Sequence, residues 1–159
     1  MAKRGKTINL ALQGGGSHGA FTWGVLDALL EDGRIDFDGI SGTSAGAMNA
    51  VAFVDGWVRD GRDGAREALH DFWYAVSKKG RFSPVQRTPL DAIWGTWSFE
   101  YSPTYRLFDL FSRVFSPYDL NPLGINPLQD VVEKHVDFER VRSCSDIKLF
   151  VSATNVWTG

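Results

Sequence analysis

The sequence predicts an α/β fold, a parallel-type sheet flanked by helices. Three observations carry that prediction. Short β-prone runs at Thr7–Gln13, Phe37–Ser41 and Ile147–Asn155 are separated by helical patterns and do not follow one another directly. The first two runs end at glycines and open into helices, which is the connection that βαβ units use. The chain has 159 residues, 43% of them hydrophobic, enough for one domain with a buried core.

The elements follow in order. "TINLALQ" (Thr7–Gln13) is a short Ile/Leu/Ala run stopped by Gly14–Gly16, as a buried strand is. Ser17–Leu30 has Ala20, Phe21, Val25, Leu26, Leu29 and Leu30 near helical spacing, with Gly33 placed to end it. "FDGIS" (Phe37–Ser41) is a second, very short strand. Ala45–Val58 is small and apolar on nearly every face, the composition of a buried helix. The polar turn "RDGRDG" separates it from an amphipathic helix at Ala65–Val76, with Asp63 as its N-cap. Between Gly80 and Pro127 lie all six prolines, and ten aromatic residues lie between Phe82 and Tyr118. Prolines at that density break the pattern into short helices and loops. Helical periodicity returns at Ile125–Val141, and Ile147–Asn155 closes the series as a strand. No internal repeat or low-complexity segment interrupts this order.

Composition excludes several classes. A formal net charge of −2 offers no electrostatic case for nucleic acid. Three scattered histidines and one cysteine, Cys144, give no metal-ligand spacing, so neither a metal nor another cofactor is expected. A single cysteine cannot form an intrachain disulfide, which suits a reducing compartment. The basic opening "MAKRGKT" is followed only by Ile8–Leu12, too short for a signal h-region, and no run approaches about 20 apolar residues. The expected location is cytoplasmic.

Two glycine motifs carry the chemistry. "ALQGGGSHGAF" contains Gly14-x-Gly16-x-x-Gly19, the spacing of a dinucleotide pyrophosphate cradle. That reading also needs an acidic residue at the end of the second strand. Asp36 and Asp38 are at the right distance, but "EDGRI" before them has the character of a turn. The second strand runs instead into "GTSAG", Gly42-Thr43-Ser44-Ala45-Gly46, with a strand before it and a helix after it. In that context Gly-x-Ser-x-Gly is a nucleophile elbow. A sharp turn lifts the Ser44 hydroxyl above the sheet. Gly42 and Gly46 leave room for the turn, and the helix dipole favours negative charge beside Ser44. The Gly14, Gly15 and Gly16 backbone N–H groups, at the neighbouring strand end, then become candidate donors to the oxyanion of a tetrahedral intermediate. The bland alternative is a tight turn at Gly14–Gly16 and a helix cap at Ser44.

These residues resemble the patatin-like phospholipase family, whose pattern is a Gly-Gly-Gly-x-basic-Gly loop followed by Gly-x-Ser-x-Gly. The resemblance covers residues 7–58 closely and Ile125–Asn155 more loosely. It implies an α/β-hydrolase-like sheet, hydrolysis of lipid acyl esters, Ser44 as nucleophile and Gly14–Gly16 as oxyanion donors. It also implies a Ser–Asp dyad whose aspartate sits in a downstream Asp-Gly-Gly/Ala motif. This chain departs from the pattern twice. His18 replaces the usual Lys or Arg, and is either a substrate-binding cation near a phosphate or a surface residue at a helix start. No dyad aspartate is recognisable. Asp63-Gly64-Ala65 is a literal match, but it lies in the polar turn that opens a helix. His70 and His135 lie on helices with no carboxylate partner placed by the sequence. The fold is therefore expected to be incomplete as this chain stands. A second chain, or a missing carboxy-terminal segment, would supply the Asp.

The aromatic stretch, with Arg106 and Arg113, reads as a cap-like insertion over 80–127. It either packs a subdomain core or seats an acyl chain and a transient membrane-surface contact. The sequence thus points to a serine lipid acyl hydrolase of phospholipase A or lysophospholipase type. The alternatives are a non-catalytic lipid-binding or interaction module of the same fold and, behind it, a nucleotide-binding domain.

Overall fold

A computed structural model describes residues 6–80 and 127–155 of the chain. Two compact units divide the chain, one formed by Met1–Val76 with Leu128–Gly159, the other by Ser77–Pro127. The described strands all lie in the first. The insertion expected over 80–127 falls almost wholly outside the described residues.

The described sheet has three parallel strands in the order β1 (Lys6–Leu12), β2 (Ile35–Thr43), β3 (Lys148–Ser152). Leu12 pairs with Gly42 and Thr43 with Ser152, so the three carboxyl ends lie side by side. In an open parallel sheet, that edge is where ligands bind. A one-residue irregularity between Ile8 and Asn9 shifts the β1–β2 register. A Cβ on Gly39 would lie 2.8 Å from the Asn9 side-chain oxygen, so a larger residue there would have to displace the Asn9 amide.

β2 is longer than "FDGIS" suggested. It is paired on both sides, and its first residues are held by Arg62, which donates to the Ile35 carbonyl and, at 2.8 Å, to Asp36. The turn read into "EDGRI" is confined to Gly33–Arg34, and Asp36 is spent on this ion pair.

Beyond β1 a single 3-10 turn, Gly16–His18, leads into α1 (Gly19–Asp32). Gly33 ends α1 in the left-handed conformation, φ 69°, and its N–H reaches back to the Leu29 carbonyl. The two helices expected at Ala45–Val58 and Ala65–Val76 are both present as the two halves of α2 (Ala45–Gly80), separated by a sharp kink at Asp60 and Gly61, whose dihedrals are not helical. Gly61 has φ 54° and ψ −132°, a conformation that suits glycine. The break folds α2 back on itself so closely that a Cβ on Gly56 would collide with the Gly64 carbonyl, and one on Gly64 with the Gly56 carbonyl. Asp63 is therefore inside the first turn after the break and is not a free-standing N-cap.

The periodic stretch Ile125–Val141 also divides, into α3 (Pro127–His135) and α4 (Phe138–Arg142). Asp137 causes the division. Its carboxylate accepts from the Glu139 and Arg140 N–H groups and caps α4.

The core forms where α1, α2 and α3 cover the sheet. Leu26 and Leu30 come from α1, Phe37 and Ile40 from β2, Phe53, Leu69 and Phe72 from α2, and Val131 from α3. Phe37 meets Phe53 edge-on at 5.2 Å, and Phe53 stacks on Trp57 at 5.8 Å. The Arg62 guanidinium closes this cluster over the Phe37 and Trp57 rings. One charge enters the core. Asp55 is buried on α2, accepts from Arg140 Nε at 2.8 Å and from the Asp137 N–H, and so ties α4 to α2. Its carboxylate raises the Arg140 guanidinium above its ordinary pKa.

Candidate active site

Ser44 occupies the single residue between β2 and α2. Its φ is 50°, and among the described residues it alone, glycines aside, has a positive φ. A serine pays a steric cost in that region, of the order of 1 kcal/mol or more. The surroundings hold it there. Its carbonyl accepts the first bond of α2, from the Met48 N–H at 3.1 Å, while its side chain remains exposed.

The two elbow glycines are forced by backbone contact. A Cβ on Gly42 would stand 2.6 Å from the Gly46 carbonyl carbon and oxygen. A Cβ on Gly46 would strike the Leu12 carbonyl and come 2.8 Å from that of Gln13. The N-terminus of α2 therefore rests directly on the carboxyl end of β1, where the glycine loop begins.

That packing sets the loop against the serine. A Cβ on Gly14 would lie 3.1 Å from Ser44 Cβ and 3.1 Å from the Thr43 carbonyl oxygen. Gly15 and Gly16 have φ of 152° and 56°, so the chain reverses through conformations that side chains disfavour. At the far end of the loop, a Cβ on Gly19 would come within 2.8 Å of Ala45 Cβ and of the Trp73 ring. The loop thus adjoins α2 at both ends.

Two side chains fix this loop. His18 directs both its backbone N–H and its ring Nδ1 at the Gly15 carbonyl, each at 3.1 Å. Asn49, completely buried on α2, donates from Nδ2 to the Gly19 carbonyl at 2.9 Å and accepts from Trp73 Nε1 at 2.7 Å. Asn49 was missed in the sequence because "AGAMNAVAF" reads as uniformly buried. An amide within such a run was the available signal, since a buried amide must find partners.

Among the described residues no candidate base accompanies Ser44. Among the described residues no side chain hydrogen-bonds to it. His70 pairs with Asp71 at 3.1 Å and stacks on Tyr74, and His135 bonds the Val131 carbonyl of its own helix at 2.8 Å. No group of three or more His, Cys, Asp or Glu side chains among the described residues is placed to hold a metal ion.

A shallow groove of ≈ 270 Å³ lies at the carboxyl edge of the sheet, lined by Ala11–Gln13, Ser41–Thr43 and Ser152. A more polar hollow of ≈ 480 Å³ lies elsewhere, along α2, α3 and α4, beside Asp55 and Arg140. No described helix is long and apolar enough to cross a membrane.

The sequence matches the family described as patatin-like phospholipase over residues 10–158. Among curated proteins, Lysophospholipase nte1 of Aspergillus terreus is 36% identical over 97 residues, covering 60% of this chain and 6% of that protein. The uncharacterized protein YjjU of Escherichia coli is 49% identical over 47 residues, 30% of this chain and 13% of that protein. The chain thus matches only a small part of either relative's length. No solved structure matches significantly. The family match takes in the glycine loop, the elbow and all of β2 and β3, and on that extent the chain belongs to the patatin-like phospholipase family.

Proposed function

We propose that this chain carries the nucleophile and oxyanion loop of a serine lipid acyl hydrolase, of phospholipase A or lysophospholipase type. The observation that supports it most is Ser44, held at φ 50° between β2 and α2 with the Gly14 backbone packed against it. Family membership supports lipid acyl hydrolysis in general, and the Aspergillus relative is named a lysophospholipase.

In this reading Ser44 Oγ attacks the ester carbonyl carbon of a lipid acyl group. The carbonyl π electrons move to oxygen, and N–H groups of Gly14–Gly16 receive the oxyanion. One such donor is typically worth about 3–4 kcal/mol of barrier. The N-terminus of α2 adds a favourable dipole. Collapse of the intermediate expels the alcohol and leaves an acyl-Ser44 ester, which water then cleaves to the fatty acid. The proton of Ser44 passes to an aspartate from outside the described residues, on a second chain or a further carboxy-terminal segment, which returns it to the departing alkoxide and later relays a proton from the attacking water to Ser44 Oγ.

A fluorophosphonate probe tests the proposal on the full-length protein. It should label Ser44, and Ser44→Ala should abolish both labelling and release of fatty acid from a lysophospholipid. Absence of labelling in a folded protein would instead favour a lipid-binding module that retains the fold without the chemistry.

A further inference from the structure

We infer that His18 is a positioning residue, which sets the direction of the Gly16 N–H by holding the Gly15 carbonyl. The inference rests on the proposed oxyanion role of the loop and goes beyond it, because it gives His18 a task that involves no contact with substrate.

The starting point is the peptide between Gly15 and Gly16. A trans peptide is planar, with its C=O and N–H pointing in opposite directions. Fixing the Gly15 carbonyl therefore fixes the Gly16 N–H. Rotation of this plane changes chiefly ψ of Gly15, now 23°, and φ of Gly16, now 56°. Both residues are glycines, so both orientations of the plane are sterically open. A loop of three glycines can approach a substrate closely, yet nothing in its own covalent structure aims its amides.

His18 supplies what the glycines lack. Its backbone N–H and its Nδ1 both reach the Gly15 oxygen at 3.1 Å. A carbonyl oxygen only accepts, so Nδ1 carries the proton. The two bonds select one orientation of the plane and leave the Gly16 N–H on the side away from His18. They also polarise the peptide, because a carbonyl that accepts hydrogen bonds makes the N–H across the plane a stronger donor. The backbone bond survives any substitution at His18. The ring bond does not.

Side-chain length makes this testable. Asparagine carries a donor near the position of Nδ1, and glutamine carries one near Nε2. A carbonyl clamp needs the first, and a cation reaching out to a lipid phosphate corresponds to the second. His18→Ala, His18→Asn and His18→Gln would be made in the full-length protein, with thermal midpoints confirming folding. Each would be assayed on p-nitrophenyl butyrate, which has no phosphate, and on a lysophosphatidylcholine, with fluorophosphonate labelling of Ser44 in parallel. The expected result for His18→Ala is a threefold to tenfold lower kcat on both substrates with KM unchanged, the scale set by one hydrogen bond. His18→Asn should recover most of that loss and His18→Gln should not.

The inference is overturned if His18→Ala matches the wild type, or if Asn and Ala behave alike. It is also overturned if the loss is confined to the phosphate-bearing substrate and Gln restores it. If the wild-type Ser44 is not labelled at all, the hydrolase reading itself fails and this inference falls with it. That outcome is distinct from labelling that His18 does not affect.

Discussion

Replacing Asn49 with alanine should destabilise the protein through one identifiable bond. Asn49 is completely buried, and its amide joins the Gly19 carbonyl to the Trp73 indole. Gly19 opens α1, so its carbonyl retains its place in the first helical turn when the amide is lost. Trp73 Nε1 has no such reserve. A buried donor left unpaired costs about 1–3 kcal/mol. Loss of three buried side-chain atoms adds about 1 kcal/mol. Asn49→Ala is therefore expected to cost about 2–4 kcal/mol.

Trp73→Phe removes the donor instead and strands the Asn49 oxygen, at about 1–3 kcal/mol. The two variants break the same bond, so the double variant should cost about 1–2 kcal/mol less than their sum. Urea unfolding of the four proteins, followed by far-ultraviolet circular dichroism, closes the cycle. Additivity within about 0.5 kcal/mol would refute the argument, because independent sites behave that way. The same set also bears on the active site. If the Asn49 amide helps hold the loop, Asn49→Ala should slow fluorophosphonate labelling under conditions where the protein is still fully folded.

Other expectations follow from single contacts. Gly46→Ala sets a methyl group against the Leu12 carbonyl, where no flexible side chain can yield, and should cost about 3 kcal/mol in denaturant unfolding, the upper end of the usual range for overpacking. Gly24→Ala is its opposite: Gly24 is exposed in the interior of α1 with nothing within 4 Å of a new Cβ, so the change should stabilise by about 0.5–1 kcal/mol. Arg140→Met leaves the buried Asp55 carboxylate with only the Asp137 N–H, and should cost about 2–4 kcal/mol, moderated by the partial exposure of Arg140. The Arg34 side-chain hydrogen bond lowers the Asp32 carboxyl pKa. That contribution is present above the ordinary carboxylate pKa of about 4 and is lost as the pH falls through the lowered value. An NMR titration should place the Asp32 midpoint below the ordinary value and return it there in Arg34→Gln.

The strands and the tight strand-to-helix turn at Ser44 were legible because they depend on local chemistry. "INLAL" and "IKLFV" are short β-prone runs, paired in the sheet although Phe150 and Val151 of β3 are exposed, and glycines on either side of Ser44 permit a tight turn from strand to helix. The missed features depend on distant residues. Ile35 and Asp36 join β2 because Arg62, 26 residues beyond Asp36, holds them. The two expected helices pack more closely across their kink than the polar turn "RDGRDG" suggests, because Gly56 and Gly64 let the two halves of α2 press against each other. The division at Asp137 was readable in principle, since an aspartate two residues before a glutamate N–H is a capping arrangement, but the apolar period across Val131, Val132 and Val136 concealed it. No carboxylate among the described residues meets Ser44, so the aspartate that the family pattern led one to expect has no counterpart there.

The glycines of this chain also have a division of labour that no motif expresses. Gly42 and Gly46 are glycines because backbone occupies the space of a side chain, whereas Gly16 has nothing within 4 Å of a Cβ and is constrained only by its φ of 56°. The first kind makes the elbow rigid. The second kind imposes no packing contact at Gly16. In the proposed hydrolase, a firmly held Ser44 beside a loop of glycines would make a poor oxyanion site unless something aims the loop, since transition-state stabilisation depends on donors that are already oriented. The residues available for that task are the ones that touch the loop carbonyls, His18 at Gly15 and Asn49 at Gly19. One is exposed and local, the other buried and anchored through Trp73 to the second half of α2. Substitution at His18 should therefore alter rate with little change in stability, and substitution at Asn49 should alter both. If the two variants produced the same ratio of rate loss to stability loss, the loop would be held by the packing of the fold as a whole and not by these two hydrogen bonds.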